Sequence, residues 1–141
     1  MNSMKLEFSA ISENVKLARV VAAAFVAPLD PTVTEISDIK TAVSEAVTNA
    51  IIHGYSANPN AIVTILMRTE NRRISIEISD NGVGIENIDA VREPLFTTKP
   101  EMERSGLGFT VMESFMDTIE IESSLGAGTT VKMKKSLGDN Q

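Results

Sequence analysis

AIVTILMRTENRRISIEIS, residues 61–79, reads as two short alternating runs rich in β-branched side chains, Ala61 to Met67 and Arg73 to Ser79. Glu70-Asn71-Arg72 between them supplies the polar residues of a hairpin turn. Upstream, Thr32 with Glu35 three residues on forms a capping-box pattern, opening a long helix that runs to His53-Gly54. Ser12 stands as the cap of an earlier helix through Val15, Ala18, Val21, Ala22 and Phe25, stopped by Pro28. Leu6 to Ala10 alternates as a first strand. Downstream come a short helix over Glu86 to Arg92, a polar stretch from Glu93 to Ser105 and a helix from Leu107 to Met116. A second hairpin, Thr118 to Glu122 with Thr129 to Lys135, turns around Gly126-Ala127-Gly128. This order predicts an α+β fold: a two-layer sandwich whose sheet is mixed but mostly antiparallel, with helices covering one face. Residues 1–141 read as one domain with a polar tail over about 137–141.

The composition narrows the function. A chain of 141 residues supports one proper core, and with no cysteine it has neither disulfides nor thiolate chemistry. Thirteen Lys+Arg against 19 Asp+Glu leave a net charge of -6, against a nucleic-acid partner, whose phosphates call for clustered cations. One histidine, His53, argues against a His-rich metal centre or a phosphohistidine relay. The longest apolar run, Val20 to Leu29, is short for a membrane span and contains Pro28. Met1 to Lys5 shows no signal-peptide pattern, so the expectation is a soluble cytoplasmic domain without membrane attachment.

On the long helix, Ile36, Ile39, Val43, Val47 and Ala50 form an ordinary core stripe. Its opposite face carries Glu45 and Asn49, one turn apart and offset by about 40°. Spacing alone reads this pair first as a solvated polar face. The same spacing also brings a carboxylate and an amide oxygen to one site. The amide oxygen suits a hard cation such as Mg²⁺, and the carboxylate suits proton acceptance. Ile52 on that face suggests that something covers it.

Three glycine segments follow. Asp80-Asn81-Gly82-Val83-Gly84 is a good turn, and its second glycine also suits close backbone approach to a planar group. Ser105-Gly106-Leu107-Gly108 opens a helix whose first N–H groups can meet an anion. Gly126-Ala127-Gly128-Thr129-Thr130 is a hairpin turn by default. None of the familiar phosphate loops or hydrolase elbows is present.

Taken in chain order, these segments resemble the GHKL superfamily of ATP-binding domains, whose fold is the Bergerat type. Ser44-Glu45-Ala46-Val47-Thr48-Asn49-Ala50 resembles the N box, and Asp80-x-Gly-x-Gly84 the first glycine box. Ser105-Gly106-Leu107-Gly108 is similar to the second glycine box, and Gly128-Thr129-Thr130 to the terminal Gly-Thr element. The resemblance implies ATP/ADP and Mg²⁺ as cofactors, with Glu45 as general base, Asn49 as Mg²⁺ ligand and Asp80 as acceptor of the adenine amine. It implies that Gly82 and Gly84 shape the adenine-side loop, that Ser105, Gly106, Leu107 and Gly108 cradle phosphates, and that Thr130 lies near the base. Pro94 to Ser105 would be the ATP lid. In it Lys99 and Arg104 read either as phosphate contacts or as solvated charge.

Within the superfamily, 141 residues leave no room for the transducer domains of the gyrase, Hsp90 and MutL types. Serine rather than histidine precedes Glu45, and the only histidine lies in the N box, unlike a sensor histidine kinase. Residues 44–55, 94–100 and 103–110 resemble the serine/threonine kinase branch, the bacterial anti-sigma factors, and its sporulation members before its general-stress ones. The resemblance implies a homodimer that holds a sigma factor of the sigma F type away from RNA polymerase. It also implies phosphorylation of a serine on an anti-anti-sigma partner; a nucleotide-gated module with vestigial transfer is the alternative. Leu6 to Ala10 with the first helix is the expected dimer surface. Arg19, flanked by apolar residues on that helix, reads as a partner-facing anchor or as an ordinary surface arginine.

Overall fold

The computed structural model describes residues 1–54, 60–81, 108–123 and 128–138. The central hairpin forms as β2 (Ile62–Glu70) and β3 (Arg73–Asp80). Glu70 stands opposite Arg73, so Asn71 and Arg72 alone make the turn. Asn71 holds a left-handed φ of 57°, which its short amide side chain tolerates. β1 (Asn2–Ser9) lies beside β2, and β5 (Thr129–Ser136) lies between β3 and β4 (Thr118–Ser123), giving the order β1-β2-β3-β5-β4. All four pairings are antiparallel, so the parallel part of the expected mixed sheet is not found among the described residues.

Strand alternation sends Val63, Ile65 and Met67, then Ile74, Ile76 and Ile78, then Val131 and Met133 to one buried face. Helices α1 (Glu13–Val26), α2 (Val33–Asn49) and α3 (Gly108–Phe115) build the second layer, with α2 packed against both neighbours. Ile39, Ala42, Val43, Ala46 and Val47 are the buried side of α2, while Ile36 is only half-buried. Each large aliphatic side chain buried this way contributes about 1.5–3 kcal/mol. Among the described residues no helix is long and apolar enough to cross a membrane.

The helix starts differ in how they are made. Thr32 Oγ1 accepts from the Glu35 N–H at 3.0 Å, and Glu35 Oε1 accepts from the Thr32 N–H at 2.9 Å, completing the capping box. Ser12 occupies the N-cap of α1 but makes no cap bond, because its φ/ψ of -61° and -30° are already helical. Asn14 secures that end instead, its Nδ2 donating to the Ser9 carbonyl at 2.9 Å.

The chain beyond β5 begins as a clasp. Leu137 is buried, and its N–H donates to the Arg72 carbonyl at 2.8 Å. The Gly138 N–H donates to Glu35 Oε2 at 2.9 Å. Arg72 donates from Nε to the Gly138 carbonyl and from Nη1 to the Leu29 carbonyl, both at 2.6 Å. Residues 139–141, the helix expected over Glu86 to Arg92 and the lid expected over 94–105 lie outside the described residues.

The N–H groups of Thr32 and Gly138, aided by the Arg72 charge, hold the Glu35 carboxyl below its ordinary value. A depressed carboxylate contributes stability that is complete above the ordinary 4.5 and is lost as pH falls through the lower folded value. Thermal melts of wild type are expected to lose stability over that acid range, and Glu35→Gln to flatten the loss. Identical acid limbs for the two proteins would refute the assignment.

Candidate functional site

The helix expected to continue to Gly54 stays α-helical only to Asn49 and then widens into a π-helical turn, Ala50–Gly54. Such turns, bonded i to i+5, recur at functional sites. Glu45 and Asn49 both precede the change, so they keep their one-turn spacing. Both are half-buried. The Asn49 side-chain nitrogen is fully buried, with no hydrogen-bond partner among the described residues. Leaving a buried amide group unpaired costs about 1–3 kcal/mol. Rotating the amide exchanges nitrogen and oxygen, so one seat offers either a donor to a phosphate oxygen or an oxygen to a hard cation. The residues present therefore fit Mg²⁺, which takes few protein oxygens and fills its shell with water and phosphate.

The π turn packs on β3, placing the end of α2 over that strand. Asp80 closes the buried row of β3 and is itself buried. Directly across the sheet from it stands Thr129, also buried. Thr130, singled out from the sequence, points to the other face, where its Oγ1 lies 3.1 Å from Ser79 Oγ. The threonine that shares a face with Asp80 is thus Thr129. Its signal was available in the period-two row that runs on through Val131 and Met133.

Gly128 makes this juxtaposition possible. Its φ is 84°, and a Cβ there would fall 2.1 Å from the Asp80 carbonyl oxygen and 2.7 Å from Asn81 Cα. The entry to β5 is therefore pressed against the end of β3. Ser123 holds the other side, its Oγ donating to the Gly128 carbonyl at 2.9 Å and lying 2.8 Å from Thr129 Oγ1.

Of the remaining expected site residues, Gly108 is the first residue of α3, a helix that packs against α2. Gly82, Gly84, Lys99, Arg104, Ser105, Gly106 and Leu107 lie outside the described residues. Arg19 is exposed on α1. Leu17 and Val20 beside it are 43% and 60% exposed, so part of the apolar flank expected around it faces outward.

Residues 8–135 match the model of the histidine kinase-like ATPase domain. The anti-sigma F factor of Geobacillus thermodenitrificans strain NG80-2 is 58% identical over 140 residues, covering 99% of this chain and 96% of that one. The anti-sigma F factor of Clostridium perfringens strain SM101 is 57% identical over 136 residues, covering 96% and 97%. Among solved structures, the RsbU and RsbW domains of a Mycobacterium tuberculosis protein superpose with a TM-score of 0.68 at 16% identity. That match covers 99% of this chain and 34% of the other. The catalytic domain of the histidine kinase ThkA superposes with a TM-score of 0.60 at 15% identity, covering 97% of each chain. At such identities the likeness concerns the fold, while the sequence relatives carry the family. The chain belongs to the histidine kinase-like ATPase domain family and, within it, to the anti-sigma F factors.

Proposed function

We propose that this chain binds ATP and Mg²⁺ where α2 ends over β3, and holds a sporulation sigma factor of the sigma F type away from RNA polymerase. On this reading it also phosphorylates a serine of a small anti-anti-sigma protein, inactivating it. The observation that carries the reading is the buried Asn49 side-chain nitrogen, without a hydrogen-bond partner among the described residues and one helical turn from Glu45, in a chain whose relatives are named anti-sigma F factors.

Asp80 accepts the adenine amine with Thr129 beside it, and Gly82 and Gly84 shape the loop that follows. Ser105, Gly106, Leu107 and Gly108 meet the phosphates at the start of α3, where N–H groups and the helix dipole favour anions. Lys99 and Arg104 reach the phosphates from the lid. Asn49 would hold Mg²⁺, which when bound neutralises phosphate charge. The acceptor serine oxygen forms a bond to the γ-phosphorus while the bond from that phosphorus to the β–γ bridging oxygen breaks. ADP leaves with the bonding pair, and the serine proton passes to the Glu45 carboxylate. Different lid contacts with ADP and ATP let nucleotide state bias the choice of partner.

Arg19 with the exposed Leu17 and Val20 forms the partner-facing surface, since an arginine beside apolar side chains suits an interface anchor. β1 lies at an edge of the sheet and, with α1, offers the homodimer surface; sedimentation of the isolated protein tests it.

Incubation with γ-labelled ATP·Mg²⁺ and an anti-anti-sigma substrate is expected to label a serine. No transfer by wild type overturns the kinase assignment, and failure to co-purify with a sigma factor overturns the sequestering role. Asp80→Ala is expected to reduce the preference for ATP over GTP by at least about tenfold, because the buried acceptor that separates an amine from a carbonyl is gone. An intact preference in competition binding removes Asp80 from base recognition.

A further inference from the structure

Lys135 sits in a row of β5 that otherwise faces the core, two positions beyond Met133. Its side chain is only 12% exposed. A lysine held there is costly unless its charge is met. Its Nζ donates to the carbonyl oxygen of Phe115, the last residue of α3, at 2.9 Å. It also lies 3.6 Å from Asp38 Oδ2 on α2. One cation thus fills an open carbonyl at the negative end of α3 and ties that end to the helix bearing Glu45 and Asn49. Two more bonds anchor the same end to β5. The Asp117 N–H donates to the Lys134 carbonyl at 2.8 Å, and Asp117 Oδ2 accepts from the Ser136 N–H at 2.7 Å.

The opposite end of α3 is Gly108, about 10 Å away along the axis. The core around α3 is methionine-rich, with Met112 of the helix, Met116 just after it and Met133 of β5 buried. Thioether side chains pack in many arrangements and specify orientation weakly. A directional polar contact at one end supplies the alignment that such packing leaves loose. We propose that Lys135 is a positioning residue for the nucleotide site: with Asp38 and the Phe115 carbonyl it sets α3 against α2, and so sets the Gly108 end against Asn49. The inference rests on the nucleotide-binding reading above.

The test compares two ligands that differ in phosphate. ATP·Mg²⁺ binding is measured by calorimetry and adenosine binding by ligand-observed NMR, at a temperature where circular dichroism shows each variant folded. Lys135→Met keeps the unbranched stem and removes the charge. Its ATP affinity is expected to fall about tenfold while adenosine stays within about twofold, since only the phosphate end is misaligned. Lys135→Arg is expected to restore most of the ATP affinity. An equal loss for both ligands, or no loss in a folded variant, overturns the positioning role. Should Lys135→Met not fold, Asp38→Asn carries the test, with a loss of about threefold confined to ATP expected and an unchanged ATP affinity overturning it. Wild-type protein that binds neither ligand overturns the nucleotide reading, and this inference with it.

Discussion

Glu45→Gln is expected to leave a folded protein that still binds ATP but transfers phosphate to the anti-anti-sigma serine at least about 100-fold more slowly. The side chain is half-buried on the polar side of α2, away from Ile39, Val43 and Val47, so the exchange removes no core packing. Glutamine keeps the size and one hydrogen-bonding oxygen and loses the negative charge and the capacity to take a proton. A positioned general base contributes typically about 10²–10⁴-fold, and phosphoryl transfer offers the protein few other covalent tasks. Labelled transfer and nucleotide binding are measured on the same preparation. Transfer at the wild-type rate would remove Glu45 from the chemistry. A matching collapse of ATP affinity would make it a structural residue instead, because a group acting only in the transition state leaves ground-state binding within about threefold.

Gly128→Ala is expected to cost about 3 kcal/mol or more, a large share of the roughly 5–15 kcal/mol that holds a typical domain folded. Two effects add. A non-glycine residue in left-handed backbone costs about 1–2 kcal/mol, and the new methyl falls 2.1 Å from the Asp80 carbonyl oxygen. The obstacle is backbone where the end of β3 pairs with the start of β5, so no rotamer change relieves it. Parting the strands there also separates Asp80 from Thr129, so whatever protein remains folded is expected to bind ATP poorly. Urea unfolding provides the check. A loss under about 1 kcal/mol would show that the turn relaxes more readily than its contacts imply.

The same residues show where sequence reading succeeds. Thr32 and Glu35 are three apart, and their capping box forms as read, because both partners lie within one turn of chain. The central hairpin forms for the same reason, from local alternation and a two-residue turn. The Glu45–Asn49 spacing survives because it lies wholly within regular helix. Between Thr129 and Thr130, only the strand register tells which shares a face with Asp80, because a step of one residue reverses the side chain. Ser12 failed as a cap because helical φ/ψ, which no letter of the sequence reveals, already absorbed it into the turn.

The sequence by itself determined the α+β order of elements, the core rows, the one-turn spacing of Glu45 and Asn49 and, by resemblance, the family. These are set by contacts within a few residues or by side-chain types at regular spacing. Only the tertiary structure decided that the Asn49 nitrogen is buried without a partner among the described residues, that Gly128 is pressed on Asp80 and that Lys135 reaches across to Asp38 and Phe115. Each depends on burial or on distance between segments far apart in the chain. Chain closure brings such groups together only when the core packs, and no local propensity records the result.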